Sequence, residues 1–269
     1  MLATDSLSLP DSFVLPVLDL LGGVVVRGVA GRRDEYLPLK SCLTTSTAPL
    51  DVARAFRSEF GFQRLYVADL DAIVHRRPNR DVARQLVEDG FRLLVDAGVE
   101  TVEDVRSWRS LGCEVVLGLE SSRSPTDLAA MVAECESVTF SLDLQNGVPM
   151  LAQTATGWSR DPSEIVRQVI ACGVSKLIVL DLADVGMGSG ARTGSLCRSV
   201  RAAFPEVHLT CGGGIRGPAD LAEWRASGAQ QVLVASALHD GRLMPNDLSV
   251  HSLIGMQSLT GGPNTSSVR

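Results

Sequence analysis

Six acidic residues recur at one kind of place in the chain. Asp19, Asp69, Asp96, Glu120, Asp143 and Asp181 each close or follow a short apolar run: FVLPVLDL, RLYVADL, RLLVD, EVVLGL, SVTFSLDL and KLIVLDL. Carboxylates crowded together cannot all ionise at their ordinary pKa, so some hold protons, pair with arginine or lysine, or bind a cation. Groups perturbed in this way suit general acid–base chemistry. A second constellation binds rather than reacts. The stretch LTCGGGIRGPAD, Leu209 to Asp220, runs through Gly212, Gly213 and Gly214 into a helix start. Only glycine allows so close a backbone approach at positive φ, and such a turn presents its amide N–H groups to a phosphate. The next apolar run, QVLVASA, ends in Ala235 and Ser236 at another helix start, and the glycine-rich loop VGMGSG adds Gly188 and Gly190. Together these residues form the expected phosphate site.

Elements that could position such groups alternate along the chain. Eight runs of strand character are separated by amphipathic stretches, and right-handed crossovers return each parallel strand beside the last. The expected fold is α/β, a (β/α)8 TIM barrel, over residues 13–244. A flexible segment over 1–12 precedes it, and a Ser-, Gly- and Asn-rich tail over 245–269, expected to be disordered, follows. Active sites of such barrels lie at the carboxyl ends of the strands, where all six acidic residues fall, and phosphate sites lie in the loops after the last two strands. Counting back by two from each acidic residue gives Val17, Val67, Leu94, Gly118, Ser141 and Val179 as inward-facing positions. That phase points every carboxylate into the mouth, with Asp69 and Glu120 contacting substrate and Asp181 joining Asp19 and Asp143 in catalysis. The competing role for some of them is a helix cap, or a partner for Arg27, Arg32, Arg33 or Arg123.

The order repeats itself. LDL followed by glycine occurs at Leu18 to Gly22 and again at Leu142 to Gly147, and VADLDAI is answered by VLDLADV. The barrel therefore reads as two similar half-barrels, which makes Asp19 and Asp143 equivalent residues.

Other side chains are weaker candidates. GRRDEY reads as a long exposed loop. His75 lies alone on a loop, and Trp158, in a polar loop, can either cover a planar substrate or staple the loop to the barrel. Lys40 and Lys176 raise a Schiff base, but Lys176 opens a strand and belongs at the opposite face. The four histidines have no ligand spacing, so no zinc and no cofactor are expected; oxygen-ligated Mg²⁺ at the acidic mouth is the alternative.

Composition narrows the partners. With a net charge of −6 and dispersed basic residues, neither nucleic acid nor an anionic membrane is an expected partner. No apolar run is long enough to span a bilayer and the N-terminus lacks signal-peptide order, so a cytoplasmic protein is expected. The six cysteines form no C-x-x-C pair and read as reduced, mostly core residues. A small phosphorylated molecule is the expected ligand; oligomeric state is left open.

From Leu15 to Leu243 the chain resembles the phosphoribosylformimino-aminoimidazole carboxamide ribotide isomerase family of histidine biosynthesis and its cyclase relative. The likeness rests on LDL at the first strand, SLDL with a following glycine at the fifth, GW in the next loop and GGGIR at the seventh. The resemblance implies that Asp19 and Asp143 are the acid–base pair of an Amadori rearrangement, aldose to ketose. It also implies that Trp158 stacks on substrate and that Gly213, Gly214, Ala235 and Ser236 hold one of two phosphates. The chain departs from the family twice. Where the family has a second GGGIR, at the third strand, this chain reads DAGVE, whose Asp96 and Glu100 repel a phosphate. The family's sixth-strand threonine is replaced by Asp181. Together these departures imply one phosphate and an acidic far side facing a smaller, amine-bearing partner. The chain also resembles an isomerase-like branch linked to one-carbon or pterin-type cofactor synthesis. Alternative readings are a lyase or aldolase of such a pathway and a barrel that binds phosphate ligands without turnover.

Overall fold

The structure, a computed structural model, describes residues 12–135, 138–188 and 192–248. Eight parallel strands form the barrel: β1 (Val14–Leu21), β2 (Arg64–Asp69), β3 (Arg92–Asp96), β4 (Glu114–Gly118), β5 (Thr139–Gln145), β6 (Lys176–Asp181), β7 (His208–Gly212) and β8 (Gln231–Val234). Each pairs with the next in chain order, and β8 pairs with β1 from Val14↔Val232 to Pro16↔Val234, which closes the sheet. Outside it run α1 (Pro49–Phe60), α2 (Leu70–His75), α3 (Arg80–Glu88), α4 (Val102–Arg109), α5 (Pro125–Ala133), α6 (Pro162–Ala171), α7 (Gly194–Ala203), α8 (Pro218–Ala226) and the short α9 (Ser236–His239). Their starts are chemically marked. Thr101 and Asp104 form a capping box on α4, and Ser124 and Asp161 accept the third-residue amides of α5 and α6. No helix among the described residues is long and apolar enough to cross a membrane.

Closure divides the apolar side chains into two cores. Leu15, Tyr66, Leu94, Val116, Ile178 and Leu233 meet inside the barrel. Leu18, Val67, Val95, Leu117, Leu142 and Val179, one residue out of phase, pack outward beneath the helices with Phe140 and Trp224. This sorting fixes where the carboxylates go. Asp19, Asp96 and Asp143 share the phase of the inner set and reach the mouth. Asp69 and Asp181 share the phase of Val67 and Val179 and point outward, a one-residue slip from the sequence expectation. Val67 and Val179 likewise face the helices, and Tyr66, Ala68, Ile178 and Leu180 occupy the inner face in their place.

Both outward aspartates hold backbone. Asp69 caps α2 by accepting the Ala72 N–H at 3.1 Å, and it takes the Asn79 N–H at 2.6 Å. Asp181 accepts the N–H groups of Asn146 at 3.0 Å and Gly147 at 2.7 Å. Asn146 and Gly147 form the turn by which β5 folds back on Val148–Pro149, as β1 folds back on Val24–Arg27. Asp71 accepts the Gly23 N–H at 3.4 Å in that first turn. A carboxylate from the following βα unit thus clasps the hairpin in each half of the barrel, the structural form of the sequence repeat.

The chain ends depart from expectation where they are described. Pro245–Leu248 is a 3-10 turn, with Leu248 packed on the outer core, rather than part of a loose tail. Ser12 is tied to β8, its carbonyl accepting from the Gln231 side chain at 3.0 Å. The expected flexible segment through residue 11 and the tail from residue 249 lie outside the described residues.

Candidate active site

The carboxyl ends of the strands surround a cleft of about 1000 Å³, counting the space open to solvent. Val17, Ala68, Leu180 and Leu233 line its apolar part. Asp96, Glu120 and Asp143, from β3 to β5, line one side, and the β6 to β8 loops supply Gly188, Gly213, Gly214, Ala235 and Ser236 on the other. Asp19 stands on β1, four strands from β5 in either direction around the barrel, so it and Asp143 rise from opposite sides of the mouth.

The glycine side is lined by backbone more than by side chains. Gly213 and Gly214 have φ of 96° and 70°, values that a side chain strains. A Cβ on Gly213 would also stand 3.2 Å from Asp184 Cβ. Neither glycine N–H, nor that of Ala235, donates to a backbone acceptor among the described residues. Ser236 opens α9, whose first amides have no intrahelical acceptor. Arg242 lines the same end; its Nη2 reaches Asp240 at 2.9 Å, while its buried Nε has no partner. Arg216, the arginine of GGGIR, is instead paired with Asp220 at 2.6 Å. Gly190 lies outside the described residues.

Three carboxyls of the acidic side are raised above their ordinary range. Burial raises Asp19 to about 7 against the pull of the nearby Arg33 guanidinium. Burial and the neighbouring Glu120 raise Asp96 to about 6, opposed by hydrogen bonds from the Gly98 N–H and the Tyr66 hydroxyl. Asp143 is raised well above the ordinary carboxylate range, by burial and then by Asp96 and Glu120, although Ser141 Oγ donates to it at 2.7 Å. Glu120 is paired with Arg33 at 2.9 Å.

At the third strand the turn is filled from within. Asp96 itself takes the Gly98 amide at 3.3 Å, while Arg76 bonds the Gly98 carbonyl and the Glu100 carboxylate. Leu180, and not Asp181, faces the mouth from β6. Trp158 is a staple here. Its indole donates to the Ser122 carbonyl at 3.0 Å, its ring lies 5.9 Å from that of Phe140, and it does not line the cleft. His75 and Lys40 are exposed and do not line the cleft, and Lys176 pairs with Glu114 at the far end of the barrel.

Tyr36, Tyr66 and Arg242 line the cleft without having been expected there, and Arg33, one of the arginines expected as a carboxylate partner, joins them through its pair with Glu120. Arg33 and Tyr36 arrive because the arm after β1 carries GRRDEY across the mouth, and Arg33–Glu35 is a 3-10 turn rather than open loop. The signal was Gly22–Gly23 between two apolar runs, which is hairpin chemistry.

The raised carboxyls set a pH dependence. In the folded protein Asp96 keeps its proton to about pH 6, whereas unfolded it loses it near 3.8. Its contribution to stability is complete below about pH 4 and is lost as pH rises through 6, because the unfolded chain then binds fewer protons. Asp96→Asn is therefore expected to stabilise the protein at pH 8 by at least about 1 kcal/mol and to leave it unchanged at pH 4. Urea unfolding at the two pH values measures the difference.

Residues 13–244 match the family model described as histidine biosynthesis protein. The chain belongs to that family. An uncharacterized protein of Methanocaldococcus jannaschii is 29% identical over 86% of this chain and 94% of its own. Two further relatives are named imidazole-4-carboxamide isomerases, for a compound carrying two phosphoribosyl groups. That of Leuconostoc mesenteroides is 28% identical over 85% of this chain and 94% of its own, and that of Thermus thermophilus 28% over 89% and 99%.

Proposed function

We propose that the protein isomerises a phosphorylated sugar derivative, aldose to ketose, using Asp143 as acid and Asp19 as base. The observation that carries this reading is the pair of carboxyls on opposed strands whose surroundings hold them at different pKa, Asp19 at about 7 and Asp143 well above the ordinary carboxylate range. Such a pair supplies one protonated and one ionisable partner near neutral pH. Asp143 donates its proton to the ring oxygen as the bond from C1 to that oxygen opens. Asp19 takes the proton from C2 to leave an enol or enaminol; protonation of C1 by Asp19 and loss of the C2 hydroxyl proton to the ionised Asp143 then give the ketose. The family's curated isomerases favour this class of chemistry.

The substrate is held by one phosphate, in the turns of Gly213, Gly214, Ala235 and Ser236 with Arg242 beside them. A second phosphate at β3 would stand against Asp96 and Glu120, and the Coulomb interaction there opposes it. Ribose 5-phosphate is expected to raise the Tm of the wild-type protein, since a ligand of the folded state stabilises it by mass action. Ser236→Asp puts a carboxylate in the same turn and should abolish that rise, whereas Asp143→Asn should keep it. A rise that survives in Ser236→Asp would remove the phosphate from this end of the cleft.

A further inference from the structure

We infer that Cys197 and Cys211 form a reversible disulfide that pins α7 to β7 behind the glycine turn of the cleft, a covalent modification independent of the reaction proposed above. Cys197 is the fourth residue of α7, and Cys211 is the last but one of β7. Their sulfur atoms stand 2.9 Å apart, and both side chains are fully buried. A disulfide needs about 2.05 Å between its sulfurs, so an approach of roughly 0.9 Å completes the bond. A thiol in a core ordinarily packs as a small apolar group, and nothing requires two of them to meet. Here helix and strand bring them together. Cys211 shares the outward phase of Leu209 on β7, and Cys197 lies with Val200 on the buried stripe of α7. Among the described residues no other two cysteine sulfurs are in contact, and Cys42 is the exposed one.

The step balances with a peroxide as oxidant. Both S–H bonds break and one S–S bond forms, while two electrons and two protons pass to hydrogen peroxide, whose O–O bond breaks to give two molecules of water. Burial, and then the Cys197 sulfur, hold the Cys211 thiol well above its ordinary pKa, so little thiolate is present and the reduced pair reacts slowly. Geometry decides the product. A sulfur oxidised to the sulfenic acid here has the other as its nearest nucleophile, and that favours the disulfide over further oxidation. The bond falls close to the cleft, because Gly213 and Gly214 follow Cys211 by two and three residues and line it.

The test uses the full chain, reduced with dithiothreitol, freed of it and exposed to hydrogen peroxide without denaturant until Cys42 has reacted. The protein is then unfolded, labelled with iodoacetamide and mapped by mass spectrometry of its unreduced peptides. A linked Cys197–Cys211 peptide is expected, two hydrogens lighter than its separate halves and lost on treatment with dithiothreitol. Cys197→Ala should give no such peptide while still reacting at Cys42. The oxidised wild type should also melt at least about 5 °C above its reduced form, because a link closing a loop of about fifteen residues restricts the unfolded chain. Recovery of Cys197 and Cys211 as labelled thiols or as sulfinic acids would overturn the inference. So would a linked protein that melts no higher than the reduced one, because the bond would then strain the fold rather than complete a contact already made.

Discussion

Replacing Asp143 by asparagine is expected to lower kcat about a thousand-fold while leaving the affinity for ribose 5-phosphate within about two-fold of wild type. The carboxyl sits on β5 in the inner phase and lines the cleft, and burial, then the neighbouring Asp96 and Glu120, raise it well above the ordinary carboxylate range. Asparagine fits the same space and can still accept the Ser141 hydrogen bond, so the variant should fold. It cannot give up a proton. The split between turnover and binding separates an acid from a residue that merely shapes the cleft. In Asp19→Asn the rate should fall comparably. In the wild type, kcat/KM should rise with pH through about 7 as Asp19 loses its proton. A wild-type rate that does not change between pH 6 and pH 8 would contradict the assignment of the base.

The largest loss of stability is expected at a glycine that no chemistry uses. Gly186, in the loop after β6, has φ of 71°, and a Cβ there would run into the Gly28 carbonyl oxygen. Both the strained backbone and the clash oppose a side chain, and neither neighbour is a flexible chain end that can swing away. Gly186→Ala is expected to cost about 3 kcal/mol or more and to lower Tm by roughly 10 °C, measured by urea and thermal unfolding. Gly28 offers a contrast. Its backbone has no positive φ, but a Cβ there would lie 3.0 Å from Val185 and 3.1 Å from Asp19 Oδ2. Gly28→Ala should therefore cost less stability than Gly186→Ala and more activity than its stability loss explains. The two glycines bring the arm after β1 against the loop after β6, and both line the cleft.

The barrel was legible because alternation of apolar runs and amphipathic stretches leaves few other ways to bury both. Strand phase was legible only in part. In a parallel barrel both faces of every strand are covered, so RLYVADL and KLIVLDL carry no polar contrast between inside and outside. Sequence alone points the aspartates that close them into the mouth, whereas Tyr66 and Ala68, and Ile178 and Leu180, fill the inner face. Asp19 and Asp143 escaped this ambiguity because their strands each continue into a hairpin, and the two LDL-glycine sequences marked them as a pair. Gly213 and Gly214 were visible as a cleft-lining turn because their positive φ favours glycine. Tyr36 and Arg242 were not, because they reach the cleft through loop paths that depend on contacts distant in sequence; of the four arginines that could partner the carboxylates, the pairing with Glu120 singles out Arg33. Trp158 shows the opposite case. An aromatic in a polar loop suits two roles, and the hydrogen bond to Ser122 selects the staple.

The departure at the third strand bears most on what the protein acts upon. Asp96 occupies the place that Gly212 takes in the other half-barrel, and its carboxylate accepts the very amide that an anion would need. The most direct measurement is therefore a pair of dissociation constants, by calorimetry at pH 8, for ribose 5-phosphate and for the bis-phosphoribosyl imidazole carboxamide after which the related isomerases are named. A cleft with one phosphate site and an acidic far side predicts that the second phosphoribosyl group adds nothing, leaving the two constants within about three-fold of each other. Binding of the bis-phosphoribosyl compound a hundred-fold or more tightly would mean that the third-strand turn accepts a phosphate after all, and the account of the far side would fall.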